Sequence, residues 1–443
     1  MRIGLFTDSY LPQVSGVATS IETLSDELKK MGHHVYIFTT TDPHVDPEND
    51  EKNIIRLRSI PLISLAERRI VLKGVVAAYQ VAQTYHLDII HTQTEFGVGM
   101  LGKLVARQLK IPVIHTLHTK YEDYVHYIAK GKIIRPGMVK YIIKNYLHGV
   151  DGVIAPSDIV LETINRYGVT IEKRVIPTGI KLEKFIRPEI TPSDIADLRD
   201  RLGISDNDTM LLSLSRLAGE KNIQAVIKSL VTVRAQASVK LVIVGSGPYQ
   251  EKLEKLVEEL DLTDIVIFTG LVDNQQTAYY YKAADFFISA STSETQGLTY
   301  IESLASGTPV LAVNNPYLKG LITNPVFGLL FDDDAQISET ILKALTTTPD
   351  FDQTLYDQKL YDISAENFAL YVYQFYLDKI ISNNQYLSQK GESIPRQTAR
   401  LFRQAPAKTV KTVVRTPKKV AIFAKKAIKH AQILKKYGKI KLK

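Results

Sequence analysis

The most constraining feature of this sequence is the alternation of short apolar runs with amphipathic helical segments along most of the chain. This alternation is typical of βαβ units, in which helices join parallel strands and cover both faces of the sheet. It predicts an α/β fold of two doubly wound, Rossmann-like domains facing one another across a cleft. The strand-like runs are "RIGLFTD", "HVYIFTT", "DIIHTQT", "PVIHTLH" and "GVIAPS", then "MLLSLSR", "VKLVIVGSG", "IVIFTG", "DFFISAS" and "PVLAVN".

The length of 443 residues supports two domains, because it exceeds what one hydrophobic core usually holds. We predict Rossmann-like domains at 1–185 and 205–362, joined by a polar, proline-containing linker at 186–204. A helix at 363–392 is expected to pack back toward the N-terminal domain, and a basic helical tail follows at 393–443.

The tail differs sharply in charge from the rest of the chain. It holds sixteen Lys or Arg and no Asp or Glu, so the overall net charge of +8 leaves −8 on the first 392 residues. A basic amphipathic helix of this kind can lie in the surface of an anionic bilayer. A solvated tail and an RNA-binding tail are the alternatives. The residues predicted to contact the membrane are Lys418, Lys419, Phe423, Lys425, Lys426, Lys429 and Leu434.

Cysteine is absent, which excludes disulfides and thiolate metal sites. The N-terminal apolar run is too short for a signal peptide, and the longest apolar stretches fall well below the ~20 residues of a spanning helix. We therefore expect a cytoplasmic protein that binds peripherally to the inner face of the cell membrane.

The stretch "SETQGLTYIESLASGTPVLA" follows a predicted strand and contains Glu294 and Glu302. The first helical turn near Leu298 offers free N–H groups to a phosphate, and Gly297 allows close backbone approach. Carboxylates beside an anion site are suited to bind the neutral hydroxyls of a sugar and a ribose. The alternative is that Glu294 caps the helix and Glu302 is an exposed helical residue.

Other predicted strand ends carry further candidate residues. Arg216 and Lys221 follow a strand of the second domain and could neutralise a diphosphate without a metal, although both could also be solvated loop charges. In the first domain, Gly16 could let a loop approach a ligand or could only form a turn. The segment "TLHTKYEDY" offers His118, with a structural role as its alternative, together with Tyr121 and Tyr124.

These motifs resemble those of the retaining glycosyltransferases with the two-domain GT-B fold, the large family 4 group. The similarity rests on the two glutamates with seven residues between them, and on "SRLAGEKNI", "VIVGSGP", "FTGLV", "VIPTGI" and "FTDSYLPQVSGVATSI" in the order the family shows. It covers roughly residues 1 to 380. One departure is Lys181, where many relatives carry aspartate, so the role of this position is open.

The resemblance implies transfer of a sugar from a nucleotide-sugar with retention of configuration, with no cofactor and no metal. Glu294 would contact the sugar hydroxyls and Glu302 the ribose. Arg216 and Lys221 would hold the diphosphate and act in catalysis with His118 and Glu294. The remaining implied contacts are Gly16, Gly245, Gly297 and Leu298 with the donor, and Tyr10, Tyr121 and Tyr124 with the acceptor.

Within the family, the N-terminal motif and "HTLHTKYEDYVHYI" are most similar to bacterial enzymes that transfer glucose from UDP-glucose to the 3-hydroxyl of 1,2-diacylglycerol. Their glycolipid products serve as membrane components and lipoteichoic acid anchors. The expected partners are thus a nucleotide-sugar, diacylglycerol and anionic lipids, with no nucleic acid and no inferred protein partner. Another sugar or acceptor, such as a glycosylated lipid or a polysaccharide, is the alternative.

Unrelated functions fit less well. A dehydrogenase would need G-x-G-x-x-G after the first strand, which "GLFTDSYLP" lacks. A nucleic-acid-binding protein would leave the strand-end motifs without a role. A nucleotide-sugar epimerase of the same fold would not account for the spacing of the two glutamates. The run Asp332 to Asp334 is expected to form a turn after a strand rather than a metal site.

Overall fold

The computed structural model describes residues 1–13, 15–46, 50–62, 65–71, 74–122, 136–396 and 398. Within these residues the chain forms two compact units, one of Met1–Gly179 with the chain from Ala365 onward, the other of Ile180–Ser364. Each unit contains a parallel sheet with helices, which confirms the predicted fold class. Tyr124 and all seven named tail residues lie outside the described residues.

The first unit is built on seven parallel strands. Its strands are β1 (Arg2–Phe6), β2 (His34–Thr40), β3 (Ile54–Leu57), β6 (Ile89–Thr92), β7 (Val113–Thr116), β8 (Gly152–Ala155) and β9 (Lys173–Val175), with an antiparallel hairpin of β4 (Ser59–Leu62) and β5 (Leu65–Val71). Its helices are α1 (Gly16–Lys30), α2 (Val75–Thr84), α3 (Gly97–Leu109), α4 (Pro136–Leu147) and α5 (Asp158–Arg166).

The strand order of this sheet is β3-β2-β1-β6-β7-β8-β9, so the direction of winding reverses between β1 and β6. Every residue of β6, β7 and β8 is buried, as expected for parallel strands covered on both faces. At such a reversal, helices leave toward opposite faces and a crevice opens beyond the carboxyl ends of the two strands. The first unit therefore has its natural ligand position after β1 and β6.

The second unit has the same architecture with six strands. Its elements are α6 (Glu183–Ile186), α7 (Pro192–Arg201), β10 (Thr209–Leu214), α8 (Ile223–Val233), β11 (Val239–Val244), α9 (Gln250–Glu259), β12 (Val266–Gly270), α10 (Thr277–Ala283), β13 (Phe286–Ser289), α11 (Leu298–Ala305), β14 (Val310–Val313), α12 (Pro316–Leu321), β15 (Gly328–Phe331), α13 (Ile337–Thr346) and α14 (Gln353–Asp362). The strand order is β12-β11-β10-β13-β14-β15, which places the reversal between β10 and β13.

The long helix α15 (Ala365–Gln389) follows the second unit in sequence but packs in the first, against α1. Its apolar face shares a core with the first strand and with α1, because Leu5, Ile21 and Leu24 lie in the same buried cluster. The buried residues that α15 contributes to this cluster are Phe368, Ala369, Val372, Phe375, Tyr376 and Ile380.

The segment 186–204 is not a linker in the structure. Its Thr191 and Asp194 form a capping box that starts α7, and Pro192 occupies the first turn, where proline is well tolerated. The prediction treated this proline as a break, whereas it marks a helix start. The segment belongs to the second unit, in whose core it buries Ile186, Leu198 and Ile204.

The acidic run after β15 forms a turn, as predicted. Asp333 accepts hydrogen bonds from the backbone N–H groups of Ala335 and Gln336, and so caps the short 3-10 helix Asp334–Gln336. Asp332 accepts from Asn314 and Asp334 from Asn222. No cluster of three or more metal-ligating side chains occurs in the described ranges. In the same ranges, no helix is long and apolar enough to cross a bilayer.

Candidate active site

The reversal point of the second sheet brings together the loops after β10 and β13. The loop after β10 is fixed by backbone hydrogen bonds from Ser215 to Val244 (3.1 Å) and from Leu217 to Ser246 (3.0 Å). Arg216 lies between these two anchors, and its side chain is 58% exposed. Its guanidinium is 3.5 Å from Glu220. The backbone is therefore held while the cation remains accessible to a ligand.

Gly245 makes the close approach of these loops possible. Its φ is +131°, and a Cβ at this position would lie 2.0 Å from the carbonyl oxygen of Ser215. Any larger residue would displace the backbone that carries Arg216. Gly245 thus supports the loop, and its proposed contact with the donor stays a prediction.

Lys221 and Glu294 meet at this point although 73 positions separate them in sequence. The Lys221 Nζ is 2.5 Å from the Glu294 Oε1, and the two side chains are 17% and 22% exposed. Glu294 does not cap α11, because the N-cap is Gly297, with φ of +77° and no side-chain hydrogen bond. The helix-cap alternative for Glu294 is therefore wrong.

Glu302 lies on α11, where its Oε2 accepts a hydrogen bond from the hydroxyl of the fully buried Tyr281 at 2.9 Å. Burial raises the pKa of Glu302 from 4.5 to about 7, against the opposing effect of the Tyr281 hydrogen bond. The alternative of an exposed helical residue is wrong. Leu298 is the first residue of α11, as predicted.

The raised pKa of Glu302 predicts a pH-dependent cost to stability. A carboxyl with a folded pKa above its unfolded value contributes most stability below pH 4.5, and that contribution is lost as pH rises through about 7. The difference in free energy of unfolding between Glu302→Gln and the wild type should therefore shift in favour of the variant by about 2 kcal/mol from pH 5 to pH 8. Urea denaturation at both pH values measures it, with the exposed Glu258→Gln as control. An equal difference at both pH values would contradict it.

In the first unit, His118 lies just beyond β7. Its Nε2 is 2.7 Å from the Oε1 of Gln93, a residue at the end of β6. Burial, helped by the nearby His115, lowers the pKa of His118 to about 3, so the ring is neutral at physiological pH. The structure thus brings His118 to the carboxyl ends of the central strands.

The other predicted residues of the first unit have different environments. Tyr121 donates a hydrogen bond from its hydroxyl to Glu95, and its ring meets Phe96 edge-on. Tyr10 is only 7% exposed and lies in the apolar core, so the structure gives it a packing role. Gly16 opens α1 directly after the cap Ser15, and a Cβ there would meet no atom within 4 Å.

A polar cluster that was not predicted from the sequence lies beyond β1 and β6. Asp8 accepts hydrogen bonds from the Thr94 hydroxyl and, at 2.8 Å, from the backbone N–H of Val98. Glu95 is 3.2 Å from His115, and both are almost fully buried. A signal was present, since "TD" ends one of the predicted strand-like runs and "QTE" lies at the end of another. Carboxylates at adjacent strand ends of a reversal point are candidate ligand or orienting groups.

Family models match both units of the chain. The model of Glycosyltransferase Family 4 matches residues 14–184, and that of Glycosyl transferases group 1 matches residues 194–357. Together with the relatives below, these matches show that the chain belongs to the family 4 glycosyltransferases and has the GT-B fold. The protein is therefore an enzyme of sugar transfer.

Two of the proteins to which the chain is similar are enzymes of the same name. The chain is 58% identical to an alpha-monoglucosyldiacylglycerol synthase of Streptococcus pneumoniae, with 87% of each chain covered. It is 32% identical to the alpha-monoglucosyldiacylglycerol synthase of Acholeplasma laidlawii, covering 88% of this chain and all of that one. Among solved structures, sucrose-phosphate synthase of Thermosynechococcus elongatus matches with a TM-score of 0.65 at 25% identity, over 86% of this chain and 99% of that one.

Proposed function

We propose that this enzyme transfers glucose from UDP-glucose to the 3-hydroxyl of 1,2-diacylglycerol, with retention, at the inner membrane surface. The 58% identity to an alpha-monoglucosyldiacylglycerol synthase supports the product and the acceptor. The observation that carries the chemistry is the Lys221–Glu294 pair, with the accessible Arg216 five positions before Lys221, at the reversal point of the second sheet.

The two cations of this site are suited to a diphosphate leaving group. When the bond between the sugar C1 and the β-phosphate oxygen breaks, negative charge develops on the departing UDP. A fixed ammonium and guanidinium stabilise that charge without further reorganisation. The pairing with Glu294 keeps Lys221 in place before the donor binds. In this proposal, Arg216 and Lys221 supply the main catalytic effect.

The two carboxylates hold the neutral parts of the donor. Glu294 accepts hydrogen bonds from the sugar hydroxyls, and Glu302 from the ribose. The first N–H groups of α11, at Gly297 and Leu298, bind phosphate oxygens. Because the pKa of Glu302 is about 7, its carboxylate is the stronger acceptor on the alkaline side of neutrality.

The first unit supplies the acceptor side. The acceptor oxygen forms the new bond to C1 on the face that UDP leaves, and its proton passes to the departing phosphate oxygen. His118 and Tyr121 contact the substrates in this proposal. A basic tail would hold the enzyme at anionic lipids, where diacylglycerol is dissolved. We propose that no metal takes part.

The test is to incubate the purified full chain with UDP-glucose or UDP-galactose in anionic vesicles containing diacylglycerol, with and without EDTA, and to analyse the lipids by mass spectrometry. A hexose added from UDP-glucose alone, with EDTA present, is the expected result. Transfer from UDP-galactose alone would overturn the donor assignment. Release of UDP only with another acceptor would overturn the lipid assignment, and loss of activity restored by magnesium would overturn the metal-free proposal.

A further inference from the structure

Gln93 and His118 are held rigidly at neighbouring strand ends. The backbone N–H of Gln93 donates to the carbonyl of Phe6 at 2.8 Å, and that of Leu117 donates to Ile154 at 3.1 Å. The side chains then meet, with 2.7 Å between the Gln93 Oε1 and the His118 Nε2. Both partners of this hydrogen bond are therefore positioned by the sheet itself.

His118 differs from the two histidines within the strands, His91 on β6 and His115 on β7. The ring nitrogens of His91 lie 2.8 and 2.7 Å from the hydroxyls of Tyr376 and Thr116. Those of His115 are paired with Thr92 and Glu95 inside the fold. Both nitrogens of each of these rings therefore already have a hydrogen-bond partner within the fold. His118 meets Gln93 through Nε2, and Nδ1 has no hydrogen bond to any of the described residues, so Nδ1 can meet a substrate.

Packing alone does not explain an amide at position 93. Gln93 is only 3% exposed, and its Nε2 has no hydrogen-bond partner among the described residues. A buried unpaired amide loses its hydration without compensation, whereas methionine would fill a similar volume at no such cost. The feature that methionine cannot reproduce is the oxygen facing His118.

We propose that Gln93 is a positioning residue, whose Oε1 accepts the Nε2–H of neutral His118 and so leaves Nδ1 as the acceptor for a substrate hydroxyl. A carboxamide oxygen only accepts hydrogen bonds, so the facing ring nitrogen must carry the proton. The proposal rests on the function proposed above, in which His118 contacts the reacting groups. The neighbouring titratable groups are His91, His115 and Glu95, and Glu95 is paired with His115 and Tyr121.

The tautomer is measurable without any activity assay. In the full chain labelled with nitrogen-15 histidine, NMR of wild type should show His118 as the Nε2–H form, assigned by its loss in His118→Asn. In Gln93→Met, both tautomers should be populated because the acceptor oxygen is gone. A wild-type ring protonated on Nδ1, or an unchanged tautomer in the variant, would overturn the proposal.

Kinetics of glucosyl transfer give the second readout. Gln93→Met should lower kcat by about tenfold, as for one lost hydrogen bond, with the KM for UDP-glucose nearly unchanged. Gln93→Glu should stabilise the His118 imidazolium, raise its pKa and make kcat fall as pH is lowered from 8 to 5. Full kcat in Gln93→Met, or no new pH dependence in Gln93→Glu, would contradict the role.

The matched control is Thr39→Val on β2, which removes another buried polar atom of this unit that has no partner in the described residues. Its kcat and pH profile should equal those of wild type. If wild type transfers no glucose, the proposed function fails, while the NMR result still decides whether Gln93 sets the tautomer.

Discussion

Replacing Lys221 with methionine is expected to lower the rate of glucosyl transfer by about a hundredfold to a thousandfold, while the protein stays folded. Methionine keeps most of the length of the side chain but removes the ammonium that we place on the departing diphosphate. Loss of one such fixed group typically has an effect of this size. The measurement is the steady-state release of UDP in vesicles containing diacylglycerol, together with the thermal unfolding midpoint.

One further variant separates the effect of the ammonium from that of its partner, and a second is the control. Glu294→Gln should lose transfer but keep affinity for UDP, because Glu294 is assigned to the sugar hydroxyls, whereas Lys221→Met should weaken UDP binding as well. Lys228→Met on α8 removes an exposed lysine of the same unit and should behave as wild type. Transfer by Lys221→Met within threefold of wild type would refute the donor site.

The fold was largely predictable because its signal is local. Parallel strands buried on both faces are continuous apolar runs, and all ten strands proposed from such runs are present. The short strands Ile54–Leu57 and Lys173–Val175 were missed because each contains a charged residue and is only partly buried. The linker at 186–204 was wrong because burial of Ile186 and Leu198 depends on the second unit and not on local composition.

The candidate site was predictable only where a strand end and a known motif coincide. Glu294 and Lys221 were proposed separately, but nothing in the sequence indicated that they form an ion pair. The contact between Asp8 and Thr94 joins residues 86 positions apart, so it follows from the order of strands in the sheet. The same holds for the contact of Gln93 with His118, which depends on the pairing of β6 with β7.

The structure also refines where the basic tail can be removed. Thr398 is fully buried and its hydroxyl donates to Asn384 at 3.0 Å, so truncation before this residue would disturb α15. A chain ending at Ala399 keeps this contact and still removes fifteen Lys or Arg. It removes all seven predicted membrane residues and keeps every residue that the structure describes.

This truncated chain is expected to lose at least about a hundredfold in affinity for anionic vesicles, since each lysine near the surface contributes about 1 kcal/mol and three would suffice. Co-sedimentation with vesicles measures it, and UDP affinity should be unchanged. The double variant Phe423→Gln, Leu434→Gln keeps every charge, so it should bind with intermediate affinity if the helix inserts its apolar face. If the truncated chain binds vesicles with wild-type affinity, the tail does not contribute to membrane binding. If it loses only RNA binding, the nucleic-acid alternative is favoured.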